Sequence, residues 1–397
     1  MAHTRSTQLF LNFGHSLDHL LLLIFPTVVL AMAPEFGRTY GEMLPLSIGA
    51  FVMFGAGSLP AGWLADRWSR RGMMVVFFIG MGAASVLVGL AQNTWQIAVA
   101  LTLVGTFGAI YHPVGITMLV SGRDKVGRIL GVNGVWGNLG VAFAALLAGA
   151  LAHWLNWRAA FVVPGVVAMA TGIAFALIVP SDFGLTRSAR QERRSGLPRP
   201  VLVHVFVVLA IAVVCGGVIF NATTVAMPKV FDEKLPALVE TTFGVGVMVS
   251  IVYAFAALAQ LCVGWWIDRH SIKAVFVVVV GLQVPLLLLA AGSENVAMLI
   301  VALGMMFFIF GQIPINDAMV AAYSDEQWRA RAYALRYVVS FLGSASAVPL
   351  VAYTHSSTAG FASLFLVLAG LAAIMLCAAF TFPGRRALTA AARGLSG

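Results

Sequence analysis

Twelve apolar runs separated by short connections constrain this chain more than any other feature. They fall near residues 8–32, 44–66, 72–91, 95–120, 127–152, 157–180, 201–227, 242–267, 273–291, 296–322, 328–353 and 358–382. Crossing a bilayer as a helix takes roughly 20 predominantly apolar residues, so twelve crossings consume most of the 397 residues and leave only loops and tails. Charged residues make up 10% of the chain and hydrophobic ones 60%, too little polarity to cover a water-facing globule. That balance excludes a soluble enzyme.

The first run ends in Ala31-Met32-Ala33, which has the small-residue look of a secretory cleavage site. His15, Asp18 and His19 interrupt the place where such a signal's apolar core would begin, and eleven more runs follow, so it reads as the first span. Cys215, Cys262 and Cys377 lie inside apolar runs without metal-site spacing and read as small core residues. The net charge of +9 raises the possibility of nucleic acid, but the basic residues sit between apolar runs rather than in one patch. With the N-terminus inside, nineteen of the 24 Lys and Arg residues fall on the cytoplasmic side and four on the other, while Arg336 lies within a span. The positive-inside rule then places both termini in the cytoplasm. The expected location is a cell membrane, the bacterial inner membrane, as a monomer in the bilayer with no nucleic-acid partner.

The basic, proline-containing stretch 181–200 is the longest connection and divides the chain into 1–180 and 201–397, six spans each. The loop after the second span reads Gly62-Trp63-Leu64-Ala65-Asp66-Arg67-Trp68-Ser69-Arg70-Arg71. The loop after the eighth reads Gly264-Trp265-Trp266-Ile267-Asp268-Arg269-His270-Ser271-Ile272-Lys273, and Asp66 and Asp268 are offset by 202 residues. A second echo pairs Tyr111-His112-Pro113-Val114 with Gln312-Ile313-Pro314-Ile315. Orientation charge alone requires neither the Gly nor the Asp, so the repeat marks an internal duplication. The expected fold is an all-α membrane protein of twelve transmembrane helices in two pseudosymmetric six-helix bundles.

The first of these loops resembles the signature of the major facilitator superfamily, with Ser69 where Gly is usual. The resemblance spans essentially the whole chain and implies alternating access around a central cavity lined mainly by helices 1, 4, 7 and 10. It also implies a cytoplasmic gate at Asp66, Arg67, Asp268 and Arg269, with Arg70 and Arg71 beside them. His15 with Asp18, Phe25-Pro26, Gly105 and Tyr111-His112-Pro113 further resemble the fosmidomycin-resistance-like branch, whose members are mostly regarded as proton-coupled exporters of drugs or small anionic compounds.

A charge at the bilayer centre costs several kcal/mol on most estimates, so every ionisable group inside a span is a functional candidate. His15, Asp18 and His19 share one helical face by their spacing of three and four. A carboxylate flanked by imidazoles suits proton uptake and release; the same trio could instead ligate a transition metal. His112 beside Pro113, Asn138 in the fifth span, Asn221 in the seventh, and Gln312 and Asn316 in the tenth offer contacts to a small polar or anionic solute. Gln283 reads as a contact within the bundle. Asp317 and Arg336 form either an ion pair or a ligand fork, and Asp317 is also a proton candidate.

These readings describe a secondary active transporter, not an enzyme. It needs no cofactor, draws on the proton gradient and works as an efflux antiporter for a small molecule. The alternative is a transition-metal carrier using His15, Asp18 and His19.

Overall fold

The computed structural model describes residues 2–121, 127–180, 198–323 and 345–384, with the single positions 339 and 343. Among the described residues every regular element is a helix. In chain order these are α1 (Ala2–Met32), the bent α2 (Tyr40–Ala56 and Ser58–Arg67), α3 (Arg70–Leu90), α4 (Thr94–Val120), α5 (Gly127–Trp154) and α6 (Ala159–Ile178). They continue with α7 (Arg199–Lys234), α8 (Thr242–Arg269), α9 (Ile272–Gly292), α10 (Asn295–Tyr323), α11 (345–355 of the described residues) and α12 (Gly360–Thr381). Among the described residues ten helices are long and apolar enough to cross a membrane, and the bent α2 makes eleven. The remaining expected span, 328–353, lies largely outside the described residues.

Apolar side chains point outward along these helices, Leu177 at 82% exposure and Leu261 and Ile300 at 63% each. Water would penalise such a surface, and hydrocarbon does not. With no hydrophobic drive between helices in lipid, close contact relies on small residues. A Cβ on Gly105 would run into the backbone of Ala50, and one on Gly140 into that of Ser16, so α4 meets α2 and α5 meets α1 almost backbone to backbone. The α2 helix bends by 44° at Gly57, where a side chain would press on the Met53 carbonyl and on Ala109.

The duplicated loop is duplicated in structure as well. Ser69 caps α3 by accepting from the Gly72 amide at 3.0 Å, and Ser271 caps α9 by accepting from the Ala274 amide at 3.2 Å. The departure from the usual Gly at position 69 therefore supplies a helix cap. Two residues further on, Arg71 donates to the carbonyls of Ala176 and Val179 at the end of α6, and Lys273 to that of Phe380 at the end of α12. A cation at a helix C-terminus satisfies carbonyls that lack an intrahelical partner.

Of the described residues, those within 1–189 and 225–254 pack as one compact unit, and those within 190–224 and 255–397 as a second. In the first unit, α8 meets α5 where Gly246 faces Ala145 and Gly149 faces Thr242, with the Trp154 and Phe243 rings 4.6 Å apart. In the same unit the Tyr40 hydroxyl donates to the Val225 carbonyl of α7 at 3.4 Å.

Candidate functional site: a buried imidazole and carboxylate cluster

Three helices of the first unit converge on His15, Asp18 and His19. The α4 helix reaches them through a π turn at Tyr111–Gly115, which contains Pro113. Proline lacks the N–H that a regular helix would use, and π turns recur at functional sites. The widened turn presents Tyr111 and His112 to α1. On the α5 side Gly137 leaves room for the imidazole of His15, since a Cβ there would lie 2.6 to 2.9 Å from its ring atoms.

Asp18 is wholly buried, and neither carboxylate oxygen has a hydrogen-bond partner. Among the described residues it is the one fully buried acidic side chain. Its ionisable neighbour is His112, with Nε2 3.6 Å from Oδ2 and an imidazole side chain 8% exposed. A Cβ on Gly108 would sit 3.1 Å from the other carboxylate oxygen, so the carboxylate is turned toward α4. The helical spacing brings the two α1 imidazoles together instead, with His19 Nε2 3.2 Å from His15 Nε2. The carboxylate flanked by its own helix's histidines is thus redistributed, His15 pairing with His19 and Asp18 facing His112.

His15 is further fixed from α5. Its Nδ1 lies 2.8 Å from the Asn133 carbonyl, an acceptor only, so Nδ1 carries the proton and Nε2 carries the lone pair. The hydrogen bond between the imidazoles then runs from His19 Nε2–H to His15 Nε2. The two amide hydrogens of Asn133 go to the Tyr111 hydroxyl at 2.8 Å and Asn12 Oδ1 at 3.0 Å, and Tyr111 donates to the Leu11 carbonyl at 2.7 Å. The Tyr111 ring stacks on that of His15 at 4.8 Å. Asn133, Asn12 and the Tyr111 hydroxyl were not legible as site residues in the sequence, where Asn133 stands among glycines and resembles packing.

The other expected positions divide. Asn138 is buried on α5 at 7% exposure. Asn221 turns its amide back to the Gly217 carbonyl of its own helix. Asn316 is buried with an Oδ1 that has no hydrogen-bond partner, and Asp317 beside it is partly exposed. Gln312, expected to contact solute, is instead built into the second unit: its amide donates to the Ala212 carbonyl at 3.0 Å and approaches Met375 sulfur, while Oε1 accepts from Gln283 at 3.2 Å. Gln283 is the bundle contact its sequence position suggested. Arg336 lies outside the described residues.

Among the loop residues, Asp66 pairs with Arg70 at 2.8 Å and is well exposed. Arg67 lies 4.0 Å from the Trp63 ring centroid and Arg269 lies 3.9 Å from that of Trp265, the same cation–π contact in each repeat. Arg71, expected at a gate, serves α6 as described above. Asp268 and Arg269 border a cavity with Tyr323 and Phe382.

A helical membrane chain of two like halves, with a buried carboxylate among imidazoles, has the build of a solute carrier. The chain belongs to the Major Facilitator Superfamily, whose model matches residues 9–251 and 234–396, and it is a transporter of that family. It is 24% identical over 322 residues to Multidrug resistance protein MdtG of Escherichia coli O17:K52:H18, covering 78% of this chain and 76% of that protein. The Escherichia coli K12 form matches to the same extent. The fold is similar to that of a point mutant of the nucleoside transporter NupG, with TM-score 0.73 and 14% identity over 95% of this chain and 99% of that one. It is equally similar, at TM-score 0.73 and 14% identity, to a bacterial homologue of the human lysosomal transporter Spinster, covering 100% and 97% of the two chains.

Proposed function

We propose that this transporter exports small drug-like or polar solutes across the cell membrane in exchange for protons, with both termini in the cytoplasm. The observation that carries the reading is Asp18, a carboxylate wholly buried in an apolar bundle without a hydrogen-bond partner and 3.6 Å from His112. An ionised carboxylate in such a place costs several kcal/mol, and a bound proton removes that cost. A proton on Asp18 therefore biases the bundle toward one access state, and solute binding toward another; that difference is what couples the two fluxes. His112 and Asn138 in the first half of the chain, and Asn316 and Arg336 in the second, are the groups assigned to a polar solute. The multidrug relative supports export as the direction.

The test uses purified protein in proteoliposomes. A thermal-shift screen of phosphonates, sugar phosphates, carboxylates and lipophilic cations at two pH values selects the solute. Its net movement is then followed with and without an imposed pH gradient. Net accumulation on the acidic side that an uncoupler abolishes is expected. Movement that only equilibrates the solute, indifferent to gradient and uncoupler, overturns the proposal.

A further inference from the structure

The three clustered imidazoles of the first unit have a property that solute export does not use. The ligating nitrogens of His15, His19 and His112 all lie within 4.8 Å of one another. Two of them come from one helix at positions i and i+4, a spacing by which paired histidines on a helix face hold zinc. Zinc–nitrogen bonds of roughly 2.0 to 2.1 Å in tetrahedral geometry place two ligand nitrogens about 3.3 Å apart. His15 Nε2 and His19 Nε2 are 3.2 Å apart. In the metal-free cluster this contact is the hydrogen bond described above; with the His19 proton moved to Nδ1, the same separation is that of two corners of such a site.

The surroundings match as well. A metal-bound histidine characteristically donates its other ring N–H to a carbonyl or carboxylate, which orients the ring and fixes the tautomer. His15 Nδ1 does so to the Asn133 carbonyl at 2.8 Å, leaving the Nε2 lone pair directed at the cluster. A dication surrounded only by neutral imidazoles would be costly in an apolar bundle; Asp18, its carboxylate 3.6 Å from His112 Nε2, supplies a compensating negative charge. His19 is only partly buried, which leaves the cluster open on one side.

We propose that His15, His19 and His112 bind one divalent transition-metal ion of the zinc class, with Asp18 balancing its charge. Imidazole ligands without thiolates favour zinc, cobalt, nickel and copper over magnesium and calcium.

The test is cobalt titration of the purified full-length chain, since tetrahedral cobalt reports itself by visible absorption. One equivalent bound with such bands is expected, displaced by zinc and unaffected by excess magnesium. His19→Ala and His112→Ala should each weaken binding at least tenfold. His19→Cys, which replaces one metal ligand by another, should retain it, and each variant's thermal unfolding in metal-free buffer reports whether it folds. Absence of saturable cobalt binding to wild type, or equal affinity in folded His19→Ala and His112→Ala, overturns the proposal. Proton-driven transport measured in a chelator is independent of both results, so the metal site and proton coupling stand or fall separately.

Discussion

Tyr111 shows how much of the cluster's geometry rests on one hydroxyl. It donates to the Leu11 carbonyl, accepts from Asn133, and stacks its ring on His15. Tyr111→Phe keeps the stacking, takes from the Leu11 carbonyl its second hydrogen bond and strands one buried amide hydrogen of Asn133, an expected loss of about 1–3 kcal/mol. Thermal or chemical unfolding in detergent reads it out; an unchanged melting point would mean that the hydroxyl ties nothing. His15, Asp18, His19 and His112 were legible in the sequence because an ionisable group inside an apolar run is expensive and so conspicuous. Asn133 and Asn12 were not, since an asparagine among glycines carries no sign of its direction and their mutual contact spans 121 residues of chain. The partners of Gln312 were hidden for the same reason: its contacts to Ala212 and Met375 join positions that the sequence does not align with it.

At the scale of elements, the repeat visible as Gly-Trp-x-x-Asp-Arg extends to contacts. The caps Ser69 and Ser271, the clamps Arg71 and Lys273, and the Trp63–Arg67 and Trp265–Arg269 stacks are each separated by 202 residues. Deeper in the bundles, Tyr111 reaching the Leu11 carbonyl matches Gln312 reaching that of Ala212, both pairs offset by 201. Each half thus ties its fourth helix to its first at the same level with a different side chain. Equivalent roles imply equivalent energies: Ser69→Ala and Ser271→Ala should each cost about 1 kcal/mol, the usual worth of such a cap. Unfolding of the two single variants checks this, and a large effect in one with none in the other would contradict structural equivalence of the loops. The repeat made the loops legible as equivalent in the two halves, whereas the partners of Arg71 and Lys273, about a hundred residues away at the ends of α6 and α12, required the folded bundles.

Across the whole molecule, the duplication is not carried into the chemistry. Applying the offset of 201 to His15, Asp18, His19 and His112 gives Gly216, Ile219, Phe220 and Ile313. Gly216 packs against the Gln312 amide, and Phe220 packs against Phe310 with the ring centroids 5.0 Å apart. At these four positions the first half carries titratable groups and the second carries glycine and apolar side chains. Asp18→Asn is the decisive variant, because the amide preserves size and shape and removes only the ability to exchange a proton. The measurement is paired: solute exchange between equal internal and external pools, and net solute movement driven by a pH gradient, in the same proteoliposomes. Proton coupling at Asp18 predicts that Asp18→Asn retains exchange and loses gradient-driven movement. Gradient-driven movement at the wild-type rate in that variant would contradict it.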